Sequence, residues 1–447
     1  MEAPTAAAPA ATVQPVAATE RIQAVDVLRG FALLGILWMN IVSFALPEAA
    51  YFNPRVAGGD TGWNLWVWQF TYVFLDGRMR GIFSLVFGAG ALLLITRAEE
   101  RGAGASIADI YYRRILWLLL FGVLHAYLIW YGDILYPYAL LGLILYPMRK
   151  LSVRALLIVA GVQVVLLTGM GVGDSFRLRE MREKATKADQ AAARGEKLTG
   201  EQEEAQKEWK DELKKIFPGP EEIKKETDAY RGGWVSAMKQ RAKTVWRWHA
   251  LPYYFPFFWD MLMMMLIGMA LVKARVLGAE RSYRFYGWMA AIGLAAGLPV
   301  NAFGAWKSVQ VGFEPVALPL AMATYQIGRV ASTLAYVALL LMIVKSGALG
   351  WLTRRLAAVG QTAFSNYISH SAICTLIFYG FGLGMFGKLE RYQVYAIVPA
   401  IWVFNLAVSP VWLRHFRFGP LEWCWRSLTY WKRQPMRADE ASARAAL

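Results

Sequence analysis

The stretch RIQAVDVLRGFALLGILWMNIVSFAL, residues 21–46, decides the fold class. It is long enough to cross a bilayer as a helix, because about 20 predominantly apolar residues span the hydrocarbon core. At about 100° per residue, Asp26, Arg29 and Asn40 lie within roughly 60° of one another on such a helix. A polar stripe on an apolar span is typical of a helix that faces other helices or a hydrated cavity.

Nine further apolar stretches follow, and the sequence therefore predicts an all-α polytopic membrane protein with about ten transmembrane helices. The 447 residues are 57% hydrophobic and only 18% charged, which is less charge than soluble proteins carry. A tryptophan-rich helix at 63–76 precedes the second span and either lies on the membrane surface or extends that span. The predicted spans are 25–46, 80–96, 114–131, 134–148, 153–172, 254–272, 285–303, 317–344, 362–386 and 393–413.

Lysine and arginine are distributed unevenly between the short loops. With the N-terminus in the cytoplasm, the cytoplasmic set of loops and helix ends holds 16 of these residues and the opposite set holds 6. The positive-inside rule therefore predicts that both termini are cytoplasmic, which an even number of spans satisfies. The net charge of +16 is explained by this orientation, so nucleic acid is not an expected partner.

The chain divides at a long charged segment, 174–247, which has 18 basic and 15 acidic residues and follows the fifth span. Its charges recur at helical spacings, and Pro218 and Pro220 interrupt them, so we expect exposed helices on the extracytoplasmic side. This insert is either a solvated excursion or a lid or docking element. The predicted units are a disordered tail (1–20), a first membrane half (21–173), the insert (174–247), a second membrane half (248–413) and a basic cytoplasmic tail (414–447).

His125 and Asp133 are polar groups near the external turn between the third and fourth spans. Asp133 suits the start of the fourth helix, where a carboxylate caps free amides. His125 is either satisfied by a neighbouring helix or is a titratable group beside a cavity. The pair could instead work together, with the carboxylate orienting the imidazole and the imidazole acting as a general base.

Two later spans also carry polar faces. In the eighth, Tyr325, Arg329 and Ser332 share one side of the helix. Arg329 either holds an anionic ligand or pairs with a buried carboxylate such as Asp260. In the ninth, Asn366 and His370 belong to a stripe that either joins helices by hydrogen bonds or lines a wet cavity. Neither the histidines nor the two cysteines show metal-site spacing, and we predict no metal.

Four stretches resemble a known family. They are RIQAVDVLRGFALLGILWMNI (21–41), LLLFGVLHAYLIWYGDILYPYALLGL (118–143), VGQTAFSNYISHSAICTLIFYGFGLGMFG (359–387) and FRFGPLEWCWRSLTYWKRQPMR (416–437). Their order and content are similar to the YeiB family of bacterial inner-membrane proteins. The resemblance covers essentially the whole chain outside 1–20 and the insert, and it implies a multipass protein of the bacterial inner membrane with the lipid bilayer as its partner.

The first helix is also similar to those of membrane acyltransferases, including heparan-α-glucosaminide acetyltransferases, which move an acyl group from cytoplasmic acyl-CoA to a sugar. The shared pattern is Asp26-x-x-Arg29-Gly30 followed by Asn40. This resemblance implies acyl-CoA or acetyl-CoA as donor, and a small molecule or glycan as acceptor. The implied donor site comprises Asp26, Arg29, Asn40, Arg113 and Arg114.

The chain departs from those enzymes at the catalytic histidine. The heparan-type enzymes have a histidine in the loop after the first helix, and the matching loop 47–64 has none. A second acyltransferase branch has a histidine where this chain has Asn40. We therefore expect His125 or His370, with Asp133, to act as the catalytic base. The predicted acceptor-binding residues are Tyr325, Arg329, Ser332 and Asn366.

Two other function classes remain open. The layout of five spans before the insert and five after it, with Arg329 at membrane depth, is compatible with a transporter or flippase for an anionic or lipid-linked substrate. A non-catalytic scaffold would use the insert as a docking element. The sequence is compatible with an oligomer in each case.

Overall fold

The computed structural model describes residues 22–438 apart from 103, 105 and 250, with the side chains of 251–255 left out. The predicted tail 1–20 lies outside these residues. The described chain forms nineteen α-helices, with a 3₁₀ turn at Pro54–Ala57 and a π turn at Thr71–Leu75. The helices are α1 (Gln23–Ala45), α2 (Ala49–Phe52), α3 (Gly62–Phe70), α4 (Arg78–Glu100), α5 (Ser106–Leu128), α6 (Leu135–Met148), α7 (Val153–Ala193), α8 (Gly200–Ile216), α9 (Pro220–Arg231), α10 (Trp234–His249), α11 (Leu251–Lys273), α12 (Tyr283–Gln310), α13 (Leu318–Ala321), α14 (Tyr325–Ser346), α15 (Gly350–Gln361), α16 (Ala363–Phe378), α17 (Arg391–Tyr395), α18 (Val398–His415) and α19 (Pro420–Tyr430).

Among the described residues, seven helical segments are long and apolar enough to cross a membrane. An all-α chain with membrane-spanning helices is therefore confirmed. The three other predicted spans coincide with α5, which carries two arginines and His125, and with α6 and α16, which have only 14 and 16 residues. The seven segments are Gln23–Ala45, Gly62–Glu100, Val153–Ala193, Pro256–Lys273, Tyr283–Gln310, Leu318–Ser346 and Arg391–His415.

The helix bundle has two ends, which we name after residues of the first helix and the loop after it. At the Arg29 face α1 begins, α4 ends and α5 begins. At the Glu48 face α1 ends, α4 begins and α5 ends. Polar side chains collect near both faces, whereas the layer between them is largely an apolar core of α1, α4, α6 and α11.

Close packing of α1 on α15 fixes the Arg29 face. A Cβ at Gly30 would lie 2.0 Å from the carbonyl oxygen of Leu356, and a Cβ at Gly360 would lie 2.0 Å from that of Asp26. The two helices therefore touch through their backbones, as small residues permit in membrane helices. The absence of a side chain at Gly30 thus permits the close approach of α15.

Two helix ends differ from the predictions. The predicted helix at 63–76 consists of α3 and the π turn, and the turn at Asp76 and Gly77 separates it from α4, which contains the predicted second span. The ninth span ends at Phe378 rather than at 386, because Tyr379 is extended and a glycine-rich segment follows. The fifth span continues to Ala193 without a break at 173, supported beyond the membrane by i,i+4 ion pairs such as Lys184–Glu180.

The insert is helical, as predicted, and its break falls between Ile216 and Pro220. Helix α8 has no buried residue, whereas the second half of the insert packs on the Glu48 face. Arg241 is fully buried and donates to the carbonyls of Tyr127 and Leu128, which end α5. A cation at a helix C-terminus satisfies the last carbonyls and the helix dipole. The insert therefore closes part of the Glu48 face.

Candidate functional site

His125 and Asp133 form a buried hydrogen-bonded pair. His125 lies in the last turn of α5 and Asp133 lies just before α6, and the connecting segment folds back so that Nδ1 and Oδ1 are 2.7 Å apart. The second oxygen of Asp133 accepts from the backbone amide of Tyr136 at 2.6 Å, as a helix cap does. His125 is 1% exposed and Asp133 7%. Asp133 therefore both caps α6 and orients the imidazole.

Ser371 on α16 completes the arrangement. Its hydroxyl lies 2.9 Å from His125 Nε2, and Ser371 is 1% exposed. Because the carboxylate of Asp133 can only accept when ionised, Nδ1 donates to it and Nε2 is free to accept from the serine hydroxyl. Serine, imidazole and carboxylate thus occur in the order that activates a hydroxyl as a nucleophile.

Two aromatic rings flank His125. The ring of Tyr367 lies 5.1 Å from the imidazole, centroid to centroid, and the ring of Trp130 lies at 6.4 Å. Tyr367 is held by the amide of Ile134, which donates to its hydroxyl at 3.1 Å. Trp130 stacks on Phe44 at 4.0 Å. Tyr367 lines one cavity and Trp130 lines another, so His125 lies between two cavities.

The first cavity opens at the Arg29 face and has a volume of about 310 Å³. Its lining includes Leu135, two positions after Asp133, and Tyr367, whose ring lies beside His125. Its outer part is ionic, with four arginines and two carboxylates, a surplus of two positive charges. These residues are Asp26, Arg29, Arg97, Arg114, Glu422 and Arg426.

Helix α19 supplies one wall of this Arg29 cavity. Glu422 accepts from the backbone amides of Phe364 and Ser365 at 2.6 and 3.1 Å, and from the Ser365 hydroxyl at 2.5 Å, so it caps α16. Burial raises the pKa of Glu422, and it outweighs these hydrogen bonds, which lower the pKa. The guanidinium of Arg114 lies 3.7 Å from the Trp425 ring centroid. The predicted basic tail is therefore, in its first helix, part of the site.

Arg29 is ordered by two contacts at the mouth of the Arg29 cavity. It donates to Asp26 at 2.6 Å and to the carbonyl of Gly360 at 3.3 Å. Its side chain is 28% exposed, so the cation is fixed but still faces the cavity. Fixed arginines at a cavity mouth suit phosphate or carboxylate groups.

The second cavity lies at the Glu48 face and has a volume of about 140 Å³. Asp133 and Trp130 form its inner wall, and Asn40 and Arg80 also line it. Glu48 accepts from the indole of Trp248 at 2.8 Å and pairs with Arg247, so α10 of the insert forms part of this Glu48 cavity.

Tyr325, Arg329 and Ser332 lie together on α14 near the Glu48 face. Arg329 is fully buried and pairs with Asp260, which also pairs with Arg80 at 3.0 Å. Ser332 accepts from the Asn301 amide at 3.0 Å, which joins α14 to α12. Of the two partners predicted for Arg329, an anionic ligand or a buried carboxylate, the structure has the buried carboxylate of Asp260.

Comparison with known proteins identifies the family. Residues 271–432 match the family described as Protein of unknown function (DUF418). The chain is 31% identical over 422 residues to Uncharacterized protein YeiB of Escherichia coli (strain K12), covering 92% of this chain and 96% of the relative. This chain belongs to the YeiB-like DUF418 family. It is also 30% identical over 450 residues to Uncharacterized protein YxaH of Bacillus subtilis (strain 168), covering 95% of this chain and 98% of the relative. No solved structure matches the chain.

The YeiB resemblance is confirmed along nearly the full chain, and the DUF418 match includes the end of α11 and all of α12 to α19. Ser371, Arg329 and Glu422 lie inside that match. His125 and Asp133 lie before it. The site is therefore assembled from both halves of a YeiB-like protein.

The predicted donor residues divide between the two cavities. Asp26, Arg29 and Arg114 line the Arg29 cavity, but Asn40 lines the Glu48 cavity. Asn40 follows Asp26 by 14 positions, which is roughly 21 Å along a helix. Arg113 points away from both cavities, pairs with Asp109 and donates to the carbonyl of Thr429. Asn40 and Arg113 are therefore not part of the Arg29 cavity.

His370 and Asn366 also lie outside the two cavities. The Asn366 amide donates to Thr362 and to Ser409 of α18, each at 3.0 Å, so it joins helices. His370 is 2% exposed and its imidazole interacts with the side chain of Asn405 on α18, so it also joins helices. Because successive helix residues differ by about 100°, His370 faces away when Ser371 faces His125.

Several site residues were missed by the sequence reasoning. Ser371 adjoins the predicted polar stripe but lies on the other side of the helix, with Tyr367 one turn before it. Glu422 follows Gly419-Pro420, a helix-start signal that could have marked α19 as structured. Within the described residues, no group of three or more His, Cys, Asp or Glu is arranged to hold a metal ion.

Proposed function

We propose that this YeiB-like protein is a membrane-embedded acyltransferase that moves an acyl group from acyl-CoA to a hydroxyl or amine acceptor, with glycans among the candidates. One observation carries the proposal. His125 bonds Asp133 through Nδ1 and Ser371 through Nε2, and this group lies between two cavities that open at opposite faces. Such an arrangement suits the relay of a group from one face to the other.

The Arg29 cavity is the proposed donor site. Arg29, Arg97 and Arg114 would hold the phosphates of acyl-CoA at the mouth, with Asp26 orienting Arg29. The apolar interior would take the pantetheine arm and the acyl chain. Arg114 and His125 are 11 positions apart on α5, so the reacting carbonyl would lie roughly 16 Å below the arginines.

The first chemical step would form an ester on Ser371. The serine oxygen attacks the thioester carbonyl carbon while His125 Nε2 takes the hydroxyl proton. The carbon–sulfur bond then breaks, and the CoA sulfur leaves with the proton from His125. Asp133 stabilises the charged imidazole during this exchange. Tyr367 separates Ser371 from the donor cavity in the structure, so its side chain must move for the thioester to reach the serine.

The second step would return the enzyme to its starting state. An acceptor hydroxyl or amine in the Glu48 cavity attacks the acyl carbon and gives its proton to His125. The ester bond to Ser371 breaks, and the serine oxygen takes that proton back. Trp130 separates the cavity from His125, so this ring is the proposed gate on the acceptor side.

The orientation belongs to this proposal. With ten spans and both termini in the cytoplasm, the Arg29 cavity opens to the cytoplasm, where acyl-CoA is found, and the Glu48 cavity and the insert face outward. Single cysteines placed in α8 should react with a membrane-impermeant maleimide in intact cells, whereas cysteines placed near Arg97 should not. The reverse labelling pattern would contradict the orientation.

The activity is tested with the detergent-purified full chain and acyl-CoA of several chain lengths. We expect saturable binding by isothermal titration calorimetry and slow release of CoA thiol. His125→Gln should bind acyl-CoA as the wild type does but release no thiol. Wild-type protein that neither binds nor hydrolyses acyl-CoA of any length would refute the proposal.

A transporter is the second candidate, favoured by the break in the second span at Asp76-Gly77 beside buried charges. Discontinuous helices of this kind form substrate sites in transporters. A transporter would expose one site to each face in turn. Cysteines placed along α14 and α16 should then switch accessibility between faces when an anionic substrate is added. Accessibility that never switches would exclude alternating access.

A further inference from the structure

The break in the second span gathers charged residues at the Glu48 face. Gly77 has φ +69°, and a Cβ there would lie 2.2 Å from the Tyr325 hydroxyl and 2.3 Å from Arg329 Cδ. Glycine is therefore required twice, for backbone conformation and for space. The close approach brings Asp76 and Arg78 against α14.

Five ionic side chains form what we call the arginine cluster: Asp76, Arg78, Arg80, Asp260 and Arg329. Asp260 lies between Arg80, at 3.0 Å, and Arg329. Asp76 interacts electrostatically with all three arginines. Three cations against two carboxylates leave one positive charge uncompensated within the cluster. Buried charges are costly unless paired, and Arg78, Asp260 and Arg329 are buried, so this surplus calls for an anionic partner.

Part of the arginine cluster has a purely structural explanation. Arg78 is fully buried and donates through one nitrogen to the carbonyls of Tyr72 and Asp76, at 2.7 and 2.6 Å. These are carbonyls that the helix break leaves without intrahelical partners. Among the described residues, the other two nitrogens of Arg78 and Nε of Arg80 have no hydrogen-bond partner. Buried donors without partners are uncommon in folded proteins and often mark a binding site.

Arg80 connects the arginine cluster to the Glu48 cavity. Arg80 and Gly77 both line that cavity, and the guanidinium of Arg80 lies 5.4 Å from the Phe257 ring centroid. The cavity's carboxylates are already engaged, Glu48 by Arg247 and Trp248, and Asp133 by His125 and the Tyr136 amide. Arg80 therefore faces the cavity as a member of the arginine cluster, which has a net positive charge.

We propose that the Glu48 cavity binds a singly charged anionic group, a carboxylate or a phosphodiester, against Arg80 and the arginine cluster. Guanidinium donors match the oxygens of both groups. The aromatic wall of Trp130, Trp248 and Phe257 suits the uncharged remainder of the ligand. Binding itself follows from this geometry. Only the identification of the anion as part of the acyl acceptor rests on the proposed function.

The test uses the purified full chain in a neutral detergent and follows thermal unfolding. The anionic probes are phosphatidylglycerol, its soluble headgroup glycerophosphoglycerol, and gluconate. The matched neutral probes are diacylglycerol and glucose. We expect the anionic probes to raise the melting temperature and the neutral ones not to. Stabilisation by phosphatidylglycerol alone would identify a lipid source, and stabilisation by the soluble probes would identify a soluble one.

Arg80→Lys is the informative variant, because it retains the charge beside Asp260 but loses the forked donors. Its apparent affinity for the stabilising probe should fall about tenfold or more. Arg179→Gln, on the exposed insert, is the control and should bind as the wild type does. Equal stabilisation by neutral probes, no stabilisation by any anion, or unchanged affinity in Arg80→Lys would overturn the site.

Release of CoA thiol from acyl-CoA, measured in the same preparations, separates the two proposals. Anion binding without any reaction of acyl-CoA would refute acyl transfer and leave the anion site standing. Acyl-CoA reaction without anion binding would do the opposite. Arg179→Gln, whose side chain lies on the exposed insert, should retain the release of CoA thiol and is the control for this measurement.

Discussion

The imidazole Nδ1 of His125 and the carboxylate Oδ1 of Asp133 are 2.7 Å apart, although His125 lies in the last turn of α5 and Asp133 in the connection to α6. The rings of Trp130 and Tyr367 both lie beside the imidazole, and Ser371 engages its other nitrogen. A purely structural role in joining helices would not explain why His125 lies between two cavities, with an aromatic ring bordering each of them. The predictions below separate a structural role from a chemical one.

Asp133→Asn should retain the fold, because asparagine also caps helix N-termini. Activity should fall by about 10²- to 10⁴-fold, since the amide no longer holds the imidazole in the productive tautomer. The measurements are kcat for acyl transfer and the melting temperature. Combining Asp133→Asn with His125→Gln should cost little more than His125→Gln alone, because the residues act as a unit. Additive losses would indicate separate roles.

Arg114→Gln and Arg113→Gln form a matched pair on adjacent positions. Arg114 lines the Arg29 cavity, whereas Arg113 pairs with Asp109 and does not. Arg114→Gln should weaken acyl-CoA binding by about tenfold or more, with kcat little changed. Arg113→Gln should bind acyl-CoA as the wild type does. Titration calorimetry of the two variants measures this, and equal losses would contradict the donor site.

Gly30→Ala and Gly360→Ala should each destabilise the protein by about 1–3 kcal/mol, because the added methyl group meets backbone atoms that cannot rotate away. Gly161→Ala is the control. No atom lies within 4 Å of a Cβ added at Gly161, so the change should be neutral or slightly stabilising. Thermal unfolding in one detergent compares the three. Equal effects would show that α1 and α15 are not in backbone contact.

Glu226 of the insert should make docking on the Glu48 face sensitive to pH. Its carboxylate accepts from the Glu48 amide at 2.9 Å, and burial raises its pKa from 4.5 to about 7, opposed by Arg247 and reinforced by Glu48. When a carboxyl has a higher pKa in the folded state than in the unfolded state, the protein loses stability as the pH rises from the unfolded-state pKa toward the folded-state pKa. The melting temperature should therefore increase as the pH falls from about 7 toward about 4.5.

Glu226→Gln should flatten this pH dependence, because a neutral amide still accepts from the Glu48 amide. Glu221→Gln, on the exposed side of the same helix, should leave the dependence as in the wild type. If the melting temperature of Glu226→Gln depends on pH as that of the wild type does, other titratable groups cause the dependence.

The helices could be predicted from local sequence because each span is a continuous apolar stretch. Pairings within one turn were equally accessible, and Asp26 with Arg29 is an example at i,i+3. Boundaries failed where tertiary contacts decide them. The segment after Phe378 leaves the helix and docks on the insert, where the amide of Gly380 donates to the Tyr230 carbonyl at 2.9 Å. No local pattern encodes a partner 150 positions away.

The candidate site was only half accessible from sequence. His125 and Asp133 could be paired because they flank one short turn. Ser371 lies 246 positions from His125, and its neighbour His370 is the more conspicuous residue. Glu422 and Trp425 lie in a segment that composition describes only as a basic tail. They enter the site because α19 packs back on α5 and α16, a contact that only the fold supplies.

Intact-protein and peptide mass spectrometry after brief incubation with acyl-CoA tests the central claim most directly. We expect the wild type to gain the mass of one acyl group at Ser371, Ser371→Ala to gain none, and His125→Gln to be acylated far more slowly. An acyltransferase activity that persists in Ser371→Ala, or a wild type that transfers acyl groups without ever carrying one, would contradict the account.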